Sequence, residues 1–283
     1  MKVNYSKPAS IAIIAAVYAL AAALGILVFA KSSSVMSDLL ALLLADVVAT
    51  VVVWLFGLLF ENVSVYDPYW SVAPPVMFTA WTVYTSCHSI PVILLLMAVW
   101  YWGLRLTANW AYTFKGLAHE DWRYKRYRDE QSPLLFHVIN FFGLNMMPTL
   151  LVFACMLPGF LLFDASAPHN VLTLFGFAVC ILAATVQLVA DTQIHRFRAS
   201  HPGQICNVGL WKHGRHPNYF GEIMMWWGIW AMYASLHAID LYILAPMAMT
   251  ALFLFISIPM MEKRQLATKP GYSSYRSSTR ILI

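Results

Sequence analysis

Charge is what this sequence has least of. Asp, Glu, Lys and Arg make up 11% of its 283 residues, against about 25% in a soluble globular domain. That shortage excludes a water-soluble globular body, in keeping with the 60% of apolar and aromatic residues. Glycine motifs for nucleotides are missing too: there is neither G-x-G-x-x-G nor G-x-x-x-x-G-K-[ST], so neither a Rossmann nor a P-loop cradle is expected. No G-x-S-x-G nucleophile elbow occurs either. The four cysteines (Cys87, Cys155, Cys180, Cys206) form no CxxC pair, and read as small buried hydrophobes. No H-x-x-x-H pair is present, and a predicted turn separates His213 from His216, so no metal site is expected.

What the chain does have is long, continuous apolar runs. They predict an all-α, polytopic membrane helix bundle with about eight spans, near 9–30, 38–60, 71–87, 91–112, 134–163, 171–193, 218–236 and 240–260. Each is close to the ~20 residues that cross a bilayer core. Pro148 and Pro158 are expected to kink the fifth. The first run exceeds a signal-peptide core of about 7–15 residues. Residues 1–37 therefore read as an additional N-terminal transmembrane helix, ahead of a main membrane domain at 38–283. Of 18 Lys and Arg residues, all but Lys31 and Arg105 fall on one side of this map. The positive-inside rule puts that side, with both termini and the polar loops, in the cytoplasm. The net charge of +5 thus fits a membrane face and membrane lipids, not nucleic acid. The 115–133 loop, rich in charge and aromatics, reads as an amphipathic interfacial helix. The sequence sets no oligomeric state.

Several polar residues sit where apolar ones would be cheaper. Asp191, His195 and Arg198 share a helix face at i, i+4 and i+7, either snorkelling at a helix end or lining a polar pocket. Arg105 lies inside a span with Tyr101 and Asn109 one turn to either side; it either snorkels or faces a partner. Asp46 reads as a helix-contact residue. Asp67-Pro68-Tyr69 is either a helix cap or a carboxylate that tunes a phenol for proton transfer. The densest cluster runs from Gly209 to Gly228, with Lys212, His213, Arg215, His216, Asn218 and Glu222 leading into an apolar helix. So many hydrogen-bonding groups at a membrane boundary point to a polar ligand, an anionic cofactor above all. Beyond the last span, Glu262, Lys263, Arg264 and Lys269 either anchor topology or help close a phosphate site.

The segments Gly209-Leu210-Trp211, Arg215-His216-Pro217-Asn218-Tyr219-Phe220-Gly221-Glu222, Trp226 and Gly228 resemble the C-terminal signature of the DUF1295 branch of the steroid 5α-reductase superfamily. Met261-Glu262-Lys263-Arg264, Lys269-Pro270-Gly271-Tyr272, Asp67-Pro68-Tyr69-Trp70-Ser71 and Trp102-Gly103-Leu104-Arg105-Leu106 are similar to the same branch. The resemblance implies a seven-helix reductase-like core. It also implies NADPH-dependent reduction of a conjugated carbon–carbon double bond in a lipid-like small-molecule substrate. It carries cofactor contacts onto Asp191, Arg198, Asn218 and Glu222, and the cofactor neighbourhood includes Arg105, Asn109, His195, Lys212, Arg215, His216, Tyr219, Trp226, Lys263 and Arg264. Tyr101 matches the proton-donating tyrosine, with Asp67 and Tyr69 as further catalytic candidates. Steroid reductases carry a Gln-Glu pair for the substrate carbonyl; here the nearest equivalent is Asp67. Isoprenylcysteine and phospholipid methyltransferases share Arg215-His216-Pro217-x-Tyr219 and an acidic C-terminal residue such as Glu262, so S-adenosylmethionine is the alternative cofactor. A non-catalytic lipid or sterol binder is a third reading.

Overall fold

Apolar runs opened by serine, aspartate, asparagine or proline fold as helices in the computed structural model, which describes residues 5–164 and 168–283. In chain order these are α1 (Lys7–Ser32), α2 (Asp38–Leu59), α3 (Tyr69–Thr85), α4 (Ile90–Thr113), α5 (Trp122–Glu130), α6 (Pro133–Val138), α7 (Met147–Phe160), α8 (Val171–Ser200), α9 (Pro217–Ala234), α10 (Leu244–Leu252), α11 (Ile258–Thr268) and α12 (Tyr272–Ser278). Caps follow the sequence. Ser6 accepts from Ala9 N ahead of α1, and Asn170 and Thr173 form a capping box at the start of α8.

Among the described residues, six helical segments are long and apolar enough to cross a membrane: Lys7–Ser32, Asp38–Leu59, Ile90–Thr113, Pro133–Phe160, Val171–Ser200 and Leu241–Thr268. Apolar helices of this length and number mark an integral membrane protein. The two other expected spans also form helices. However, α3 has only 17 residues, and α9 fits Asn218, Glu222 and several tryptophans into 18.

The kink expected at Pro148 takes a particular form, whereas Pro158 lies inside α7, which runs on as α-helix to Phe160. α6 continues through a π-helical stretch, Ile139–Met146, into α7, just ahead of Pro148. A second π stretch, Phe253–Ser257, lies just ahead of Pro259. Proline offers no N–H to the carbonyl four residues back and its ring crowds it, and a wider turn relieves both problems. The charged 115–133 loop forms α5 as expected, capped by Asp121, which accepts from Arg123 N.

The described chain divides into two compact units, Met1–Val76 with Leu106–Ala154, and Met77–Arg105 with Cys155–Ile283. In the first, α1 packs along α2 with Gly25 against the Ala45 carbonyl. Tyr18 of α1 donates to the Val65 carbonyl at 2.7 Å, and Thr50 pairs with Thr149 at 2.9 Å. In the second, α8 and α9 approach backbone to backbone. A Cβ on Gly228 would lie 2.9 Å from Gly176 O, one on Gly176 2.7 Å from Met232 N, and one on Gly221 2.6 Å from Ala183 O. Small residues drive association where lipid removes the hydrophobic incentive. This contact sets the register of every polar side chain on the two helices.

Candidate functional site

The α8–α9 register brings four of the expected residues together inside the second unit. Arg105 of α4 donates from Nη1 to Asp191 Oδ2 of α8 at 3.0 Å, and its Nη2 lies 3.9 Å from Glu222 Oε2 of α9. Asn218 Nδ2 reaches Asp191 Oδ1 at 3.1 Å. Glu222 is held from both sides, accepting from Trp102 Nε1 and Trp226 Nε1, each at 3.0 Å. Those two indoles meet edge-on with centroids 5.4 Å apart. Arg105, Asp191 and Glu222 are each under 10% exposed. One guanidinium thus faces two carboxylates, so the cluster is not a spare positive charge for a phosphate. Its free capacity lies in hydrogen bonds. Removing one member of such a buried set typically costs about 3–5 kcal/mol.

Two groups there are left without partners. Arg105 Nε and Gln187 Oε1, the latter on a residue only 1% exposed, have no hydrogen-bond partner in the structure, while the Gln187 amide N–H faces the Glu222 carboxylate. Gln187 lies one turn before Asp191, with its side chain against Gly221 and close to Glu222. Buried polar atoms are nearly always paired, so orphans of this kind require an explanation, and a polar ligand supplies one. Sequence reasoning missed Gln187 and Trp102. The available signal was a glutamine at i−4 from Asp191 inside an apolar run. Tyr101, the expected proton donor, lies one turn before Arg105 and pairs with Thr185 Oγ1 of α8 at 3.2 Å. His195 sits one turn beyond Asp191 and interacts electrostatically with it.

Arg215 and His216 serve a different structure. Arg215 Nε donates to Glu262 Oε1 at 2.7 Å, and Arg276 Nε reaches Glu262 Oε2 at 3.0 Å. Arg215 Nη1 also donates to the carbonyls of Arg276, at 2.9 Å, and Thr279. His216 Nε2 lies 3.3 Å from Glu262 Oε1, and burial pushes its pKa below the usual histidine range. Together they fasten the C-terminal segment. Tyr219 stacks on His216 with centroids 5.3 Å apart. Arg198 lies close enough to Arg264 and to Lys269 to repel both, while Lys212 and Lys263 are exposed. The basic residues expected around the cofactor therefore divide into a buried latch and an exposed basic surface.

The other catalytic candidates belong to the first unit, as does Asn109. There the expected pairing of Asp67 with Tyr69 is replaced by two separate pairs. Tyr69 donates to Asp46 Oδ1 at 2.7 Å. Asp67 accepts from Tyr124 of α5, with Arg123 3.8 Å away. α3 begins only at Tyr69, so the aspartate faces α5 rather than capping α3. Burial raises the Asp67 carboxyl to about 6, with Arg123 and the Tyr124 hydroxyl pulling the other way. Asp46, read from the sequence as a plain helix contact, is the acceptor for Tyr69.

A family model described as "Protein of unknown function (DUF1295)" matches residues 53–279. No curated protein and no solved structure matches the chain. The matched stretch contains the whole Arg105–Gln187–Asp191–Asn218–Glu222 cluster and the Glu262 latch.

Proposed function

This chain belongs to the DUF1295 family, and we propose that it is a membrane-embedded, NADPH-dependent reductase of a conjugated double bond in a lipid-like or steroid-like enone. The observation that carries this reading is the buried cluster of Arg105, Asp191, Asn218 and Glu222 with the unpaired Gln187 Oε1 and Arg105 Nε beside it. A free amide oxygen and a guanidinium N–H fit the carboxamide and sugar hydroxyls of a nicotinamide nucleotide. NADPH, when bound, supplies a hydride to the carbon beta to the carbonyl. Asn218 and Asp191 would orient the nucleotide, and Glu222, fixed by two indoles, would hold Arg105 in place. Tyr101 would deliver the proton that completes saturation. The exposed cations Arg198, Lys212 and Lys263 suit the phosphates, which guanidinium and ammonium groups recognise by charge-assisted hydrogen bonds. On this reading both termini and the basic surface face the cytoplasm.

One observation favours a second reading. Arg215, His216 and Glu262, the residues shared with the membrane methyltransferases, form one buried cluster, which keeps S-adenosylmethionine as the alternative cofactor. Mass spectrometry of whatever co-purifies separates the readings. The reductase reading expects NADP(H). S-adenosylmethionine or S-adenosylhomocysteine would establish the methyltransferase, and an apolar lipid or sterol alone would establish a binder. Under the reductase reading, Tyr101→Phe slows turnover with little change in NADPH affinity. Undiminished turnover would remove Tyr101 as proton donor.

A further inference from the structure

The C-terminal segment builds a second polar feature away from the Glu222 cluster. Gly214 and Arg280 form a parallel bridge, with Arg215 N donating to Arg280 O at 2.9 Å and His216 N to Ile281 O at 3.1 Å. The approach is so close that a Cβ on Gly214 would lie 2.9 Å from Ile283 N. Arg215, held by Glu262, clamps the same segment through the Arg276 and Thr279 carbonyls. This backbone arrangement places Arg280 across from Lys212 and His213. Between them is a recess of about 460 Å³ lined by Lys212, His213, Ser278, Thr279, Arg280 and Ile283. No acidic side chain lines it, and its one negative charge is the α-carboxylate of Ile283. Among the described residues, neither Lys212 nor Arg280 makes an ion pair.

We propose that this recess is a binding site for a phosphate monoester, with Lys212 and Arg280 gripping the dianion from opposite sides and His213 and the Thr279 hydroxyl as further donors. Two exposed cations against the single α-carboxylate of Ile283 leave the recess net positive, and an arginine on one wall suits phosphate oxygens. The ester could be a nucleotide's ribose phosphate or a phospholipid headgroup. Only the nucleotide source rests on the reductase reading.

The test uses the purified full-length protein and three probes: inorganic phosphate, adenosine 2′-monophosphate, and phosphatidate in nanodiscs. At least one ester is expected to bind, with inorganic phosphate competing. Lys212→Gln and Arg280→Gln should each weaken binding about tenfold, and the double variant should abolish it, at unchanged melting temperature. Dependence of adenosine 2′-monophosphate on Arg280 upholds the site with a nucleotide source, and dependence of phosphatidate upholds it with a lipid source. No binding of any probe, or equal binding by wild type and double variant, overturns it. Failure of NADPH to bind while Arg280-dependent phosphate binding persists leaves the recess standing and removes the reductase reading.

Discussion

Gln187 and Asp191 are one turn apart on the same helix, yet both Asp191 oxygens are paired while Gln187 Oε1 is not. An unpaired buried amide oxygen costs roughly 1–3 kcal/mol relative to a satisfied one. Gln187→Leu should weaken NADPH binding about tenfold in a protein that still folds; a fall in melting temperature with unchanged affinity would make Gln187 structural. Asp67 gives a pH test. Its folded-state pKa, about 6, lies above the ~3.9 of an unfolded aspartate, so the fold binds this proton more tightly. The resulting stability is complete below ~3.9 and is lost as pH rises through about 6. Melting curves from pH ~5 to ~8 should show Asp67→Asn gaining on wild type as pH rises, and parallel curves would contradict it. At this scale the sequence was legible in part. Arg105, Asp191, Asn218 and Glu222 could be named from their spacing and resemblance. Which tyrosine meets which aspartate could not, because Asp46–Tyr69 and Asp67–Tyr124 depend on packing between distant segments.

Helices α8 and α9 carry the site because glycines allow them to touch. A Cβ on Gly228 would lie 2.5 Å from Cys180 Sγ and 2.9 Å from the Gly176 carbonyl, whereas one on Gly143 would meet only Ile139 Cγ2, at 3.8 Å. Gly228→Val should cost at least the 1–3 kcal/mol typical of overpacking, seen as a lower melting temperature and lost ligand binding, while Gly143→Ala should be tolerated. Equal behaviour of the two variants would contradict this packing. Helix positions were readable from apolar run length, and α5 from its mix of charged and aromatic residues. The π stretches before Pro148 and Pro259 were not, since proline signals a disturbance without specifying which wider turn absorbs it.

For the whole molecule, composition was enough to identify an integral membrane helix bundle, while its orientation rests on the proposal drawn from the segregated basic residues. All four cysteines are buried, so a cysteine at the exposed Ser277 would report sidedness with little background. A membrane-impermeant maleimide should label Ser277→Cys only from the cytoplasmic side, and labelling from the outside would reverse the topology. Whether the polar cluster grips a nucleotide is the larger question. Calorimetric titration of NADPH into purified wild type and Asn218→Ala answers it most directly. Saturable binding, weakened about tenfold by Asn218→Ala in a protein that still folds, is the expected result. A folded wild-type protein that takes up no NADPH, or an Asn218→Ala protein that binds it equally well, would contradict the account.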